Sequence, residues 1–111
     1  MGRVNTELTF DALAIRDTSP HNGDTVDNFD FQLKTIVIEN SLDETVTFQC
    51  QASVHSDFSS SFDIGSTWDV TASTNTYQSC TTFFPYMRLQ ATCGTSPTSG
   101  SLTVHFVQLG A

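Results

Sequence analysis

The feature that most constrains the fold is a pair of alternating segments in the last third of the chain. Residues 86–93 alternate apolar with polar side chains, and residues 101–106 do the same after a loop rich in Gly, Ser and Thr. Side chains of a β-strand point to opposite faces in turn, so this two-residue period is typical of strands with one buried face. Two such strands joined by a turn-forming loop predict a β-hairpin between Phe84 and Leu109.

The same alternation separates inner from outer residues of this pair. The inner set is Met87, Leu89, Ala91 and Cys93 with Leu102, Val104 and Phe106. Val107 and Leu109 add apolar residues on the opposite face, where they would meet water unless a partner covered them. We therefore predict a subunit or capsid contact at Val107 and Leu109.

Further strand signals run through the rest of the chain. Residues 45–55 alternate most cleanly, and the run Ile36 to Ile38 within 29–39 is typical of a strand covered on both faces. Residues 68–70 and 77–82 indicate short strands, whereas 17–28 and 56–66 have the composition of loops. No window shows apolar residues at helical spacing. About seven or eight antiparallel strands predict an all-β fold, a single β-sandwich with a jelly roll as one candidate topology.

Length and composition agree with one domain spanning residues 1–111. Ser and Thr make up about a quarter of the chain, and charged residues only 14%, which favours a β-rich domain. We expect residues 1–16 to form an N-terminal arm or edge strand, with a change of parity near Ala12 that indicates a bulge. Val4 and Leu8 on this segment are further candidate contact residues.

The charge excludes two classes of partner. Twelve acidic and four basic residues give a formal net charge of −8, and Arg3, Arg16, Lys34 and Arg88 are scattered singly. Binding to nucleic acid or to an anionic membrane surface requires clustered basic residues, so we predict neither. The N-terminal residues lack the apolar core of a signal peptide, which favours synthesis in the cytosol.

Residues with catalytic or metal-binding chemistry do not form a recognisable motif. His21, His55 and His105 have no fixed spacing to a carboxylate or cysteine. We therefore predict no catalytic residue, no metal ligand and no cofactor, and a protein that is not an enzyme. The acidic loop 17–30 could hold calcium, but its spacing favours a solvated surface.

The three cysteines make an odd count, which is not typical of a disulfide framework. Cys50 and Cys93 lie on the apolar parity of their strands, which indicates buried thiols. The pattern leaves open whether Cys80 pairs with Cys50 or with Cys93.

The order of the strands resembles small β-sandwich modules of tailed-phage virion proteins. The resemblance is carried by the strand ending Ile36-Val37-Ile38-Glu39-Asn40, the alternating strand 45–55, a Ser/Asp loop with Trp68, the segment Phe84 to Leu89, and the closing strand Leu102 to Phe106. It covers about residues 29–109. The resemblance implies a non-enzymatic virion protein, made in the host cytoplasm, that acts as a capsid decoration or tail component. It also implies symmetric contacts, in a homo-oligomer or with capsid or tail proteins.

A carbohydrate-binding sandwich of the adhesin type is the alternative function. Trp68, Tyr77 and Tyr86 could stack on sugar rings if they were exposed together. The opposing interpretation is that Trp68 fills the core and the tyrosines lie on the sheet surface or at a subunit contact.

Overall fold

The computed structural model describes residues 4–28, 33–80 and 84–110, and within these ranges the chain forms β-strands joined by turns. The strands are β1 (Val4–Leu13), β2 (His21–Asn22), β3 (Val26–Asp27), β4 (Leu33–Asn40), β5 (Val46–Ser53), β6 (Phe62–Val70), β7 (Thr74–Cys80), β8 (Tyr86–Cys93) and β9 (Leu102–Leu109). In the described ranges no α-helix is present, and hence none that is long and apolar enough to cross a membrane.

The strands form two antiparallel sheets that pack face to face. Sheet I has the order β1-β9-β4-β7, and sheet II has the order β2-β8-β5-β6, with β3 also paired to β8. This arrangement confirms the predicted all-β sandwich, with two very short strands among those of sheet II. The jelly-roll topology stays a prediction.

The core lies between the inner faces of the four central strands. Its fully buried members include Ile36 and Ile38 on β4, Phe48 on β5, Leu89 on β8 and Val104 on β9. Each follows the two-residue period of its strand, so polar neighbours on the same strands face outward. The inner residues predicted for the last two strands, from Met87 to Phe106, are all buried.

The predicted closing hairpin is wrong. β8 and β9 do not pair with each other: β8 lies beside β5 in sheet II, and β9 lies between β1 and β4 in sheet I. The connection 94–101 therefore crosses from one sheet to the other. An alternating pattern predicts which residues of a strand face the core but not which strand pairs with it. A hairpin of β8 with β9 and the observed placement in two facing sheets would bury the same residues.

The crossing connection is held by contacts with the turn that follows β4. The backbone N–H of Thr98 donates to the Asp43 carboxylate at 2.9 Å, and the Thr98 hydroxyl donates to the other carboxylate oxygen. These hydrogen bonds lower the pKa of Asp43, because they favour its charged form. Gly100 has a φ of +85° and passes directly over the Ser41 carbonyl. The turn and the crossing connection thus close one end of the sandwich together.

Two predicted loops contain strands. Residues 17–28 include β2 and β3, which cover the outer edge of β8, and residues 56–66 include the first half of β6. β2 and β3 have two residues each, too few to show a period. β6 is interrupted by a register shift opposite Gln49, which breaks its alternation.

The N-terminal segment forms β1, which lies at the edge of sheet I. Its pairing with β9 shifts register on both sides of Phe10, and Ala12 has a φ of +46°. The change of parity near Ala12 thus corresponds to an irregular, bulged strand.

Gly100→Ala should destabilise the protein by about 2–4 kcal/mol, because a Cβ there would overlap the Ser41 carbonyl and the residue would be held at positive φ. Gly94→Ala is the matched control in the same connection: its Cβ would meet nothing within 4 Å. Urea denaturation followed by fluorescence measures both. Equal stability of the two variants would contradict the proposed packing of Gly100.

Asp43→Asn should lower stability at neutral pH, and the difference from wild type should disappear in acid. The pKa of Asp43 is lower in the folded than in the unfolded protein, so its stabilising effect is complete above the unfolded value of about 3.9. That effect is lost as the pH falls through the lower, folded pKa. Denaturation of both proteins across this pH range measures the difference, and one that did not change with pH would contradict the role of the carboxylate.

Candidate interaction surface

The outer face of sheet I brings together apolar side chains from four strands. Cross-strand neighbours in an antiparallel sheet share a face, so the register identifies the rows. Each row contains one residue from β1, one from β9 and one from β4. Starting at the first residue of β1, the three rows are Val4, Leu109 and Leu33; Thr6, Val107 and Thr35; then Leu8, His105 and Val37. Tyr77 of β7 extends the third row beside Val37.

Several of these side chains are strongly exposed for their size. Val4 and Tyr77 are each 70% exposed, and Leu8, Leu33 and Leu109 are 40–48% exposed. Val37 and Val107 are half-buried. We name this surface the apolar outer face; it comprises Val4, Leu8, Leu33, Val37, Tyr77, Val107 and Leu109.

The apolar outer face is also nearly free of charge. The three rows on β1, β9 and β4 contain no Asp, Glu, Lys or Arg. His105 lies at their upper border, where its Nε2 is 3.5 Å from the Glu39 carboxylate. In a chain with a net charge of −8, this absence of charge sets the face apart from the rest of the surface.

The outer face of sheet II has the opposite character. Arg88 donates to Gln51 at 2.8 Å, Gln51 donates to Asp63 at 3.1 Å, and Thr47 donates to Asp69 at 2.7 Å. The Arg88 guanidinium also lies 4.2 Å from the centre of the Phe58 ring. These polar side chains pair with one another, and the two carboxylates are exposed to solvent, so this face needs no partner to satisfy its polar groups.

A buried polar cluster holds the end of β9 that carries Val107 and Leu109. Gln108 points inward and is fully buried. Its amide donates to Asn28 Oδ1 at 2.6 Å and to the Asp27 carbonyl at 2.9 Å, and it accepts from Asn5 at 2.9 Å. These hydrogen bonds tie β9 to β1, to the end of β3 and to the residue that follows it, and they orient the alternate residues outward.

The structure thus places the four predicted contact residues on one surface. Val107 and Leu109 lie on β9, and Val4 and Leu8 lie beside them on β1. Sequence reasoning did not include Leu33 and Val37. A signal was present, since the run Ile36-Val37-Ile38 must turn Val37 away from the core when Ile36 and Ile38 face it.

The three aromatic residues of the carbohydrate-binding alternative lie in separate places. Trp68 is half-buried at the side of sheet II and stacks on the buried Phe48, with ring centres 5.7 Å apart. Tyr77 is on the outer face of sheet I, and Tyr86 is on β8 of sheet II. The three rings therefore do not share one surface, and the alternative stays a prediction.

The histidines and acidic residues also lie apart. His21 is 2.8 Å from Asp17, whose pKa is lowered mainly by that hydrogen bond, whereas His55 follows β5 and His105 is on β9. Asp30 of the acidic loop lies outside the described residues. In the part of the chain that the structure describes, no three His, Cys, Asp or Glu side chains are grouped so that they could hold a metal ion.

Comparison with known proteins identifies the fold but no sequence family. No family model matches the chain, and no curated sequence does. Among solved structures, the PBSX exported protein XepA is similar over 96% of this chain, with a TM-score of 0.70 and 16% identity. The structure of infectious bursal disease virus, Gx strain, is similar over 98% of this chain, with a TM-score of 0.51 and 13% identity.

The chain corresponds to only part of these two proteins, 37% of XepA and 36% of the viral chain. A third structure, PirA, matches with a TM-score of 0.47 and 12% identity. The comparisons with XepA and the viral chain establish a shared fold, and at these identities they establish no activity.

Trp68→Ala should cost about 2–3 kcal/mol, because it removes the ring that stacks on Phe48. Tyr77→Ala, which removes an aromatic ring exposed to solvent, should change stability by less than about 0.5 kcal/mol. Chemical denaturation measures both. A Trp68→Ala protein as stable as wild type would contradict a packing role for this ring.

Proposed function

We propose that this chain is a non-enzymatic viral structural protein, a capsid decoration or tail component, that assembles through symmetric contacts of the apolar outer face. Its place of action is then the virion, after synthesis in the host cytoplasm. The observation that carries the proposal is the contrast between the two outer faces of the sandwich. One presents polar side chains that pair with one another, and the other presents exposed Val, Leu and Tyr side chains.

An exposed apolar sheet face favours association. Covering it removes apolar area from water, at roughly 25 cal/mol for each Å² buried. Monomeric proteins rarely keep a large contiguous apolar patch on the surface. The edge position of β1 extends the face to the rim of the sheet, where Val4 and Leu8 can contact a neighbouring subunit.

The partner proposed for this face is a second copy of the same chain. Two chains that each carry a net charge of −8 repel one another. Their contact should therefore be made where charge is absent, as it is in the three rows across β1, β9 and β4. A two-fold contact places the same patch on both sides, which an uncharged apolar surface tolerates well. A specific interface needs about 800 Å² from each partner, so residues around the patch should also be covered.

The comparisons support the proposal at the level of the fold. The sandwich recurs in the structure of a virus and in the PBSX exported protein XepA. The resemblance of the sequence to tailed-phage virion modules also favours a virion protein. Neither the structural similarity nor the sequence resemblance identifies a catalytic residue in this chain.

Leu109→Asp and Val107→Asp should convert an assembled protein to monomers while it stays folded. Burying an unpaired carboxylate at the contact should weaken association by more than about tenfold. Sedimentation velocity measures the oligomeric state, and circular dichroism checks the fold. Thr92→Asp introduces the same charge on the outer face of sheet II and should leave assembly unchanged.

Two results would contradict the proposal. One is a wild-type protein that is monomeric at high concentration and binds no capsid or tail particle. The other is equal loss of assembly in Thr92→Asp and Leu109→Asp, since that would point to net charge and not to the apolar outer face.

A further inference from the structure

A cavity opens at the side of the sandwich where the outer strands β6 and β7 lie. Its volume is about 260 Å³, and its lining includes Cys50, Cys80, Trp68, Ile64 and Gln78. β6 is the edge strand of sheet II and β7 is the edge strand of sheet I, and no backbone ladder joins the two sheets in the described residues. At this side, side chains of both strands line the cavity. Two of the side chains in the cavity lining are thiols.

The thiols of Cys50 and Cys80 meet across the two sheets. Cys50 lies on β5 of sheet II and faces the core, with 6% of its surface exposed. Cys80 ends β7 of sheet I and is paired with Lys34, whose side chain is buried, so Cys80 shares the inner face. The two side chains are within hydrogen-bond contact. Facing strands of a β-sandwich can be bridged by a disulfide at such a position.

The two sulfurs differ in access. The pKa of Cys50 is raised by its hydrogen bond with Cys80 and by burial, so Cys50 stays a protonated thiol. Cys80 is half-exposed at the cavity, where a reagent in solution can reach it. Lys34 is only 2% exposed, and burial lowers the pKa of its ammonium, while the two neighbouring cysteines act against that shift. The difference in access alone sets the order of reaction. Cys80 is therefore the sulfur that reacts first, and Cys50 is the one that resolves.

We propose that Cys50 and Cys80 are an oxidation site at which an intramolecular disulfide joins sheet I to sheet II. The oxidant is a low-molecular-weight disulfide. The Cys80 thiolate attacks it, forms a mixed disulfide and releases one thiolate. Once Cys80 is in the mixed disulfide, its hydrogen bond no longer raises the pKa of Cys50. Cys50 then gives its proton to the thiolate released in the first step and attacks the Cys80 sulfur, which expels the second external sulfur as a thiolate that takes a proton from water. Two protein thiols are oxidised and one external disulfide is reduced to two thiols.

The bridge would cross-link the chain between residues 50 and 80 and pin β7 to the central strand of the other sheet. A cross-link of this kind stabilises a protein mainly by restricting the unfolded chain. In a reducing cytosol the pair stays as two thiols, and in an oxidising medium it closes. The proposal rests on the geometry of this cavity and does not depend on the assembly proposed above.

The test is to incubate the purified protein with oxidised glutathione and to determine its products by mass spectrometry with peptide mapping. Wild type and Cys93→Ala should lose two hydrogens in a Cys50–Cys80 linkage. Cys50→Ala should instead keep glutathione attached to Cys80, because no resolving thiol is present. Cys80→Ser should remain unmodified at Cys50. Circular dichroism before oxidation verifies that each variant is folded.

Stability provides a second measurement. Oxidised wild type should unfold at a higher urea concentration than reduced wild type, and Cys80→Ser should show no such shift. Wild type that keeps three free thiols after prolonged incubation would overturn the proposal. So would a linkage to Cys93, or glutathione held on Cys80 of wild type.

Discussion

The structure depends on the burial of one alternate set of side chains on each of the four central strands. β4 and β9 supply that set from sheet I, and β5 and β8 supply it from sheet II. Because the period of a strand is two, the burial of Phe48, Leu89, Ile38 and Val104 also determines which residues face outward. The apolar outer face is thus a direct consequence of the register that fills the core. A slip of one residue on β9 would exchange Phe106 for Val107 and lose both surfaces together.

Local pattern was sufficient to predict most strands but not their partners. The bounds of β5, β8 and β9 follow closely from alternation, since one face of each is buried and the other is wet. The pairing of β8 with β9 was wrong because a Gly- and Ser-rich connection can either turn back or cross to the facing sheet. The crossing connection makes its contacts with residues far away in the sequence: Thr98 donates to the Asp43 carboxylate, and Gly100 packs against the Ser41 carbonyl. Contacts between residues so far apart in the sequence cannot be predicted from the alternation within one strand.

The candidate surface was half predictable for a related reason. Val107 and Leu109 could be recognised from β9 alone, because they are apolar at positions that alternate with the core-facing residues and therefore face outward. That Leu33 stands in register with Leu109 is a property of the β4–β9 pairing, which the sequence did not reveal. Aromatic residues were a poor guide, since the exposure of Trp68, Tyr77 and Tyr86 depends on sheet position and not on residue type. Gln108 was missed because a polar residue on an apolar parity looks like the end of a strand.

Gln108 connects the core to the apolar outer face. A buried amide is costly unless each of its polar atoms is paired, and here Asn5, Asp27 and Asn28 provide the partners. Any outward rotation of β9 would break these hydrogen bonds and leave buried polar groups unpaired. Val107 and Leu109 are therefore held in one orientation on the surface of the sheet. In the proposed assembly, such a fixed strand would lose less conformational entropy on association than a frayed C-terminal strand would, so a modest apolar surface could support a specific contact.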